Sequence, residues 1–466
     1  MEQELVNIID EFKWDDNDYI IDDVFIITEK DEEDLLESAG ILIEELIKRD
    51  PMAYIHPTFH QNIVDEVVEM LGQMFDYDIY DEDDIADLEE CILEAVNEAM
   101  RLFYKHVAPN RSFKTTFIRN KKKATQEMIE KIEVQLGYLK NIPQPEQRTP
   151  EWYAFRYKYL TASNIWKAFI SQSTKNSLIY EKCKPLITES SSVSFTNTES
   201  PMHWGNKYEP VSVSIYETLY QTSISEFGCI PHKTISSLAA SPDGINTLKT
   251  SERYGRMLEV KNIVNRVIDG VPKMEYWIQM QLQLEVCDLK ECDFLETRFI
   301  EYEDESSFRC DVVNGADMNL FISSEGKKKG IIMYFIKEGH PFYEYYTPST
   351  EQTQTQSAFD KWEESIMDKN SAYMWVKNIY WKLDQLSCVL VLRNKMWFAY
   401  AMQDLNDIWS IIEKERIEGY EHRSPKKRVQ SASSSSKKIN NSELIEEFNS
   451  MQTKVCYINI SNDTEL

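Results

Sequence analysis

The sequence has no C-x-x-C pair. Its eight cysteines, at 91, 183, 229, 287, 292, 310, 388 and 456, are scattered, and no Cys/His group shows zinc spacing. That disfavours a zinc ribbon and a nuclease with a cysteine-held iron–sulfur cluster. Cys287 and Cys292, the nearest pair, read as core thiols, and free thiols fit a reducing compartment. No run of about 18 apolar residues occurs, so no membrane span is expected. The start, "MEQELVNIIDEFKWDD", lacks the basic end and apolar centre of a signal peptide. The expected location is therefore intracellular. No internal repeat of fixed period is visible.

Basic residues are scarce in one region only. Residues 1–100 hold 32 Asp/Glu against 4 Lys/Arg, which accounts for the whole net charge of −28. The other 366 residues carry 47 acids and 47 bases, a balance that leaves room for a basic groove. Hydrophobic residues make up 42% and aromatics 12%, enough for a packed core.

The acidic block, 1–100, reads as a helical domain. "DEEDLLESAGILIEELIKRD" and "DEDDIADLEECILEAVNEAMRLFYKH" place apolar residues at helical spacing, with carboxylates at the starts, where they oppose the macrodipole favourably. Its acidic face is either solvated, a decoy for a basic groove, or a dock for a basic partner. Residues 101–145 hold a basic segment and a helix. Within 101–123, Lys121, Lys122 and Lys123 join five other bases and interleaved aromatics, with no acid. Such a segment suits a nucleic-acid backbone, or equally a solvated linker beside the acidic block. The Pro-rich "NIPQPEQRTP" marks a boundary. Residues 146–350 mix strands and helices, predicting an α/β core with a mixed sheet flanked by helices. Residues 351–422 read as mostly helical, with one strand in "CVLVLRNKMWFAY". The tail, 423–466, is basic and Ser-rich and reads as disordered. Its "PKKR" is a solvated terminus, a phosphate-binding tail or a nuclear address.

Chemistry concentrates in "SPDG" and "LEVK". Asp243 sits on a turn, and Glu259 and Lys261 point to one face of the next strand. If those strands pair, two carboxylates meet, and each raises the other's pKa unless a cation lies between them. Hard oxygen ligands suit Mg2+ or Mn2+, and a lysine beside them suits phosphodiester hydrolysis. Taken singly, E-x-K is common on exposed strands and Asp-Gly is an ordinary hairpin turn.

Five segments in order, "EWYAFRYKYLTASNI", "HWGNKYEP", "SPDG", "LEVK" and "YWIQMQLQLEV", resemble the lambda-exonuclease and YqaJ-like viral recombinase branch of the PD-(D/E)xK nuclease superfamily. The resemblance covers under a third of the chain. It implies that Asp243, Glu259 and the carbonyl of Val260 hold a metal, that Lys261 is the catalytic lysine, and that Glu209 serves a second metal position. It places Gln279, first of a Q-x-Q pair, beside the active site, and gives Arg156 and Ser163 the 5′-phosphate of a DNA end. Plainer readings stand beside these: Glu209 as a helix-surface acid, Arg156 in an ion pair, Ser163 as a helix cap, Trp204 and Tyr208 as core, and Gln281 and Gln283 on a wet helix face. The loop between Asp243 and Glu259 is long for this family and is expected to protrude near the DNA.

The expected protein is thus a Mg2+- or Mn2+-dependent exonuclease with two ions. It would digest duplex DNA ends 5′ to 3′ and leave single strands for viral recombination, repair or replication, with a single-strand annealing protein as a further partner. An endonuclease or flap nuclease using the same site, and a non-catalytic binding protein with a nuclease-like core, are the alternatives. Oligomeric state stays open.

Overall fold

The computed structural model of the chain describes residues 28–75, 77, 80–113, 125–147, 149–186, 197–198, 200–313, 319–346 and 355–424. Thr28 opens the first helix, α1 (Glu29–Arg49), in a reciprocal capping box with Asp31. Asp81 caps α3 (Glu82–His106) by accepting from the N–H groups of Asp83 and Asp84. Between them lies α2 (Phe59–Gly72), which the sequence reading did not separate. The three helices bury Ala39, Ile43, Val67, Leu71, Ile92 and Val96 and leave the carboxylates outside. Their apolar face does not close on itself. One hydrophobic cluster runs from Leu35 through Trp277 to Ile412.

The chain continues through α4 (Gln126–Lys140), α5 (Pro150–Tyr157), β1 (Leu160–Thr161), α6 (Gln172–Cys183) and α7 (Pro201–Tyr220). Short strands β2 (Ile224–Ser225), β3 (Ile230–Pro231), β4 (Leu238–Ala240) and β5 (Gly244–Asn246) precede β6 (Met257–Asn262), α8 (Met274–Val286) and β7 (Glu291–Glu301). Then come α9 (Glu305–Cys310), β8 (Lys329–Lys337), β9 (His340–Tyr346), α10 (Gln356–Lys369), β10 (Met374–Leu392) and α11 (Lys395–Glu418). No described helix is long and apolar enough to cross a membrane.

The main sheet is mixed and seven-stranded, in the order β2-β5-β6-β7-β10-β8-β9. Only β6 and β7 are parallel, and α8 makes the crossover that parallel pairing requires. A second sheet, β1-β4-β3, has three strands. Helices α8 and α7 cover opposite faces of β6 and β7. The α8 face carries Met257 and Phe294, and the α7 face carries Leu258, Val260 and Leu295 against Tyr216. This is the α/β core expected from the sequence.

Two expectations are corrected. The strand placed at 388–400 is the end of the 19-residue β10, and helix α11 starts at Lys395. β10 also lies between β7 and β8, inside the main sheet. Its first half sets Lys377, Asn378 and Lys382 among the apolar residues, which hides it from a search for apolar runs. The loop before β6 does not protrude. Lys249 pairs with Glu133 of α4, and Gly255, at φ +79°, lies close against Ile132 of the same helix.

Candidate active site

Strand alternation sends Glu259 and Lys261 of β6 toward α8. There Glu259 is fully buried, and each of its oxygens is held. Oε1 accepts from Gln279 Nε2 at 2.6 Å and from the Lys261 amine; Oε2 accepts from Gln283 Nε2 at 2.7 Å. β5 pairs antiparallel with β6, Gly244 opposite Leu258, so the preceding Asp243 reaches across. Its Oδ2 accepts from the Val260 N–H at 2.7 Å. Asp243, Val260 and Lys261 line a cleft of about 520 Å³ with Glu209 of α7 and Tyr276 of α8.

Helix α7 is anchored so that Glu209 faces this cleft. Ser212 donates to Asn262 Oδ1 at 2.6 Å, Asn262 Nδ2 donates to the Gly205 carbonyl at 2.8 Å, and Tyr208 donates to Glu301 at 2.8 Å. Tyr208 is buried and Trp204 packs beside it, as expected of core residues. Pro210 lies within the helix, which continues unbroken through it.

Charge in the cleft is unbalanced. Burial, the Glu259 carboxylate and, more weakly, Glu209 push the Asp243 carboxyl well above the usual carboxylate range, against the pull of Lys261 and the Val260 N–H. Burial alone would lower the Lys261 amine; Glu259 and Asp243 outweigh it, and the amine stays charged. Arg266 on the rim is already paired with buried Glu296. Among the described residues no three His, Cys, Asp or Glu side chains form a metal cage on their own. The groups that could hold a cation are instead the Asp243 and Glu259 carboxylates and the Val260 backbone, with Glu209 on the wall. An excess of negative charge on hard oxygen atoms fits a divalent cation such as Mg2+ or Mn2+.

A second cluster lies close by. Arg156 of α5 donates to Ser163 Oγ at 3.2 Å and to Ser241 Oγ at 3.3 Å, and its guanidinium lies 4.6 Å from the Trp152 ring. Among the described residues Arg156 forms no salt bridge. Ser163 caps no helix; the 3-10 turn Ile165–Ala168 starts at Asn164 without a side-chain cap. Ser241 stands two residues before Asp243 and was not singled out from sequence.

Gln283 links the two clusters, since its Nε2 also donates to the Ser241 carbonyl at 3.0 Å. Gln281 and Gln283 are buried, not on a wet face. Gln281 points to β10 instead, bonding the Leu392 carbonyl and the Asn394 N–H. Gln279 and Gln283 are four apart, one helical turn, and that spacing was the available signal. Lys121, Lys122 and Lys123 lie outside the described residues.

Residues 151–290 match the family model of the YqaJ-like viral recombinase domain. This bears out the resemblance carried by the five ordered segments, and the YqaJ-like region contains both clusters. An uncharacterized protein, R354, of Acanthamoeba polyphaga mimivirus is 29% identical over 304 residues, covering 59% of this chain. The match spans 54% of that protein, about half its length. The crystal structure of an alkaline exonuclease (LHK-Exo) from Laribacter hongkongensis aligns at 17% identity and a TM-score of 0.33, over 57% of this chain and 94% of that one. The same enzyme in complex with dAMP aligns over 59% and 97%, again at 17% identity and TM-score 0.33.

Proposed function

We infer that this protein is a divalent-metal-dependent deoxyribonuclease that degrades duplex DNA from an end, 5′ to 3′. The observation that carries this reading is the pairing of two clusters through Gln283: an electronegative cleft with a charged lysine, and a guanidinium–hydroxyl pocket beside it. Asp243 and Glu259, with the Val260 carbonyl and Glu209, would hold Mg2+ or Mn2+, in one or two positions. A bound divalent cation supplies Lewis-acid polarisation of the phosphodiester and a nucleophilic water at neutral pH. Lys261 places a positive charge where the phosphate gains negative charge. Gln279 and Gln283 keep the Glu259 carboxylate turned to its task by occupying one lone pair on each oxygen. Arg156, Ser163 and Ser241 offer a fork of N–H donors and two hydroxyls, well matched to a terminal phosphate.

The YqaJ-like match and a viral relative support a role in viral DNA recombination, repair or replication. The single strand left behind would pass to an annealing protein. The test is digestion with Mg2+ of linear duplex labelled at one 5′ end, with and without the 5′-phosphate, beside closed circular DNA. Linear, phosphorylated ends should be consumed fastest. Equal cutting of closed circles would mean an endonuclease, and no cleavage of any DNA with Mg2+ or Mn2+ would leave only a binding role.

A further inference from the structure

Glu181, on α6, lies in neither cluster, yet its hydrogen bonds lead straight to the Arg156 pocket. Its Oε1 accepts from Asn164 Nδ2 at 2.7 Å, and its Oε2 accepts from Lys167 Nζ at 2.7 Å. A carboxylate can only accept, so it fixes which end of the Asn164 amide faces it. The amide oxygen must then face the other way, where it accepts from Thr161 Oγ1 at 2.5 Å and Ser163 Oγ at 3.2 Å. Ser163 in turn accepts from Arg156. Ser163 therefore donates to Asn164 and accepts from Arg156, so the Asn164 oxygen fixes where Ser163 Oγ stands beside the guanidinium. The next residue, Lys182, holds the other side of the pocket. Its amine donates to the Arg156 carbonyl at 3.2 Å, at the end of α5 where helix carbonyls lack intrahelical partners.

We propose that Glu181 is a positioning residue for the end-phosphate pocket: it locks the Asn164 amide, which holds Ser163 against Arg156, and so sets the preference for phosphorylated over unphosphorylated 5′ ends. The proposal rests on the end-directed reading above. It has a signature that simple electrostatics lacks. Glu181 is an anion near a site for an anion, so Coulomb repulsion alone predicts that removing it strengthens phosphate recognition. The hydrogen-bond chain predicts the reverse.

The experiment measures kcat/KM on linear duplexes with a 5′-phosphate or a 5′-hydroxyl and takes the ratio. Glu181→Ala should lower that ratio about tenfold, mainly through KM on the phosphorylated end, as expected for loss of an orienting partner. Glu181→Gln keeps an acceptor for Asn164 and should hold the ratio at or above that of the unmodified protein. Asn164→Ala should match Glu181→Ala, and the double variant should fall no further. The Glu181 side chain is 47% exposed, so these variants should melt with the parent. An unchanged or raised ratio in Glu181→Ala, or equal falls in Ala and Gln variants, overturns the proposal. A parent protein with equal rates on both ends removes the end-directed reading itself, a result separable from the first because it appears without any variant.

Discussion

Two buried ionic clusters sit on opposite faces of the same two strands, and their charge balance differs. On the α7 face, Asp293 of β7 is fully buried among Arg253, Arg256 and Tyr216. Arg256 bonds Asp293 at 3.1 Å and Glu291 at 2.9 Å, Tyr216 donates to Asp293 at 2.6 Å, and Arg253 stacks 3.6 Å from the Tyr220 ring. Two guanidiniums meet two carboxylates. On the α8 side, the carboxylates of Asp243 and buried Glu259 share one ammonium, Lys261, and Glu209 of α7 adds a third negative charge from the wall of an open cleft. The balanced cluster is closed and complete. The unbalanced one holds charge that the fold alone does not neutralise, and that charge is available to bind a cation.

The comparison breaks most visibly under loss of one carboxylate from each side. Glu259→Ala should reduce Mg2+-dependent cleavage by roughly 10³-fold or more, the scale of removing an electrostatic element from a reacting centre, measured on the folded fraction because the buried Lys261 amine and two glutamine amides also lose their acceptor. Retained cleavage would remove Glu259 from the chemistry. Asp293→Asn should act the other way round. It leaves two buried guanidiniums short of a partner and should cost about 3–5 kcal/mol of stability in denaturant unfolding, while the protein that remains folded keeps its Mg2+ affinity. A smaller effect is expected from Gln283→Ala, which removes the bond between the cleft and the Arg156 pocket. Activity should fall about 10- to 100-fold, as for other partners that orient a metal-holding group. If only KM on phosphorylated ends changes and Mg2+ affinity does not, Gln283 serves the pocket and not the carboxylate.

How far this was legible in the sequence depends on range. Alternation in "LEVK" places Glu259 and Lys261 on one face, and α8 runs from Met274 to Val286, a stretch without Gly or Pro. Both are local patterns. Asp243 needed one further step, the hairpin. Ser241 and Gln283 escaped because their roles depend on α8 crossing beneath β6, a long-range event. Once α8 is a helix, however, Gln279 and Gln283 share a face and Gln281 does not. The balanced cluster was invisible for a similar reason. Arg253 lies in what reads as a polar loop and Arg256 at the start of the strand after it, and only the pairing of β6 with β7 brings Asp293 to them. β10 was underestimated because pairing on both sides, not its own apolar content, holds it in the sheet.

The finest test of the comparison is one chemical change made on each face without metal. At Asp293, replacing Asp by Asn destabilises. At Asp243 the sign should reverse, since burial and its carboxylate neighbours already disfavour the ionised form. Asp243→Asn should raise the melting temperature of metal-free protein at neutral pH by roughly 1–2 °C. The pH dependence follows. The folded carboxyl of Asp243 titrates above its unfolded value of about 3.9, so between those two values the native state binds the proton more tightly. Lowering pH from neutral through that window therefore stabilises the parent relative to Asp243→Asn, and the gap between them closes. Saturating Mg2+ or Mn2+ at neutral pH should invert the order, because the parent gains binding free energy that the variant lacks. A parent already more stable than Asp243→Asn without metal would mean that the carboxylate is satisfied by the fold, and the two faces would then differ in shape but not in charge.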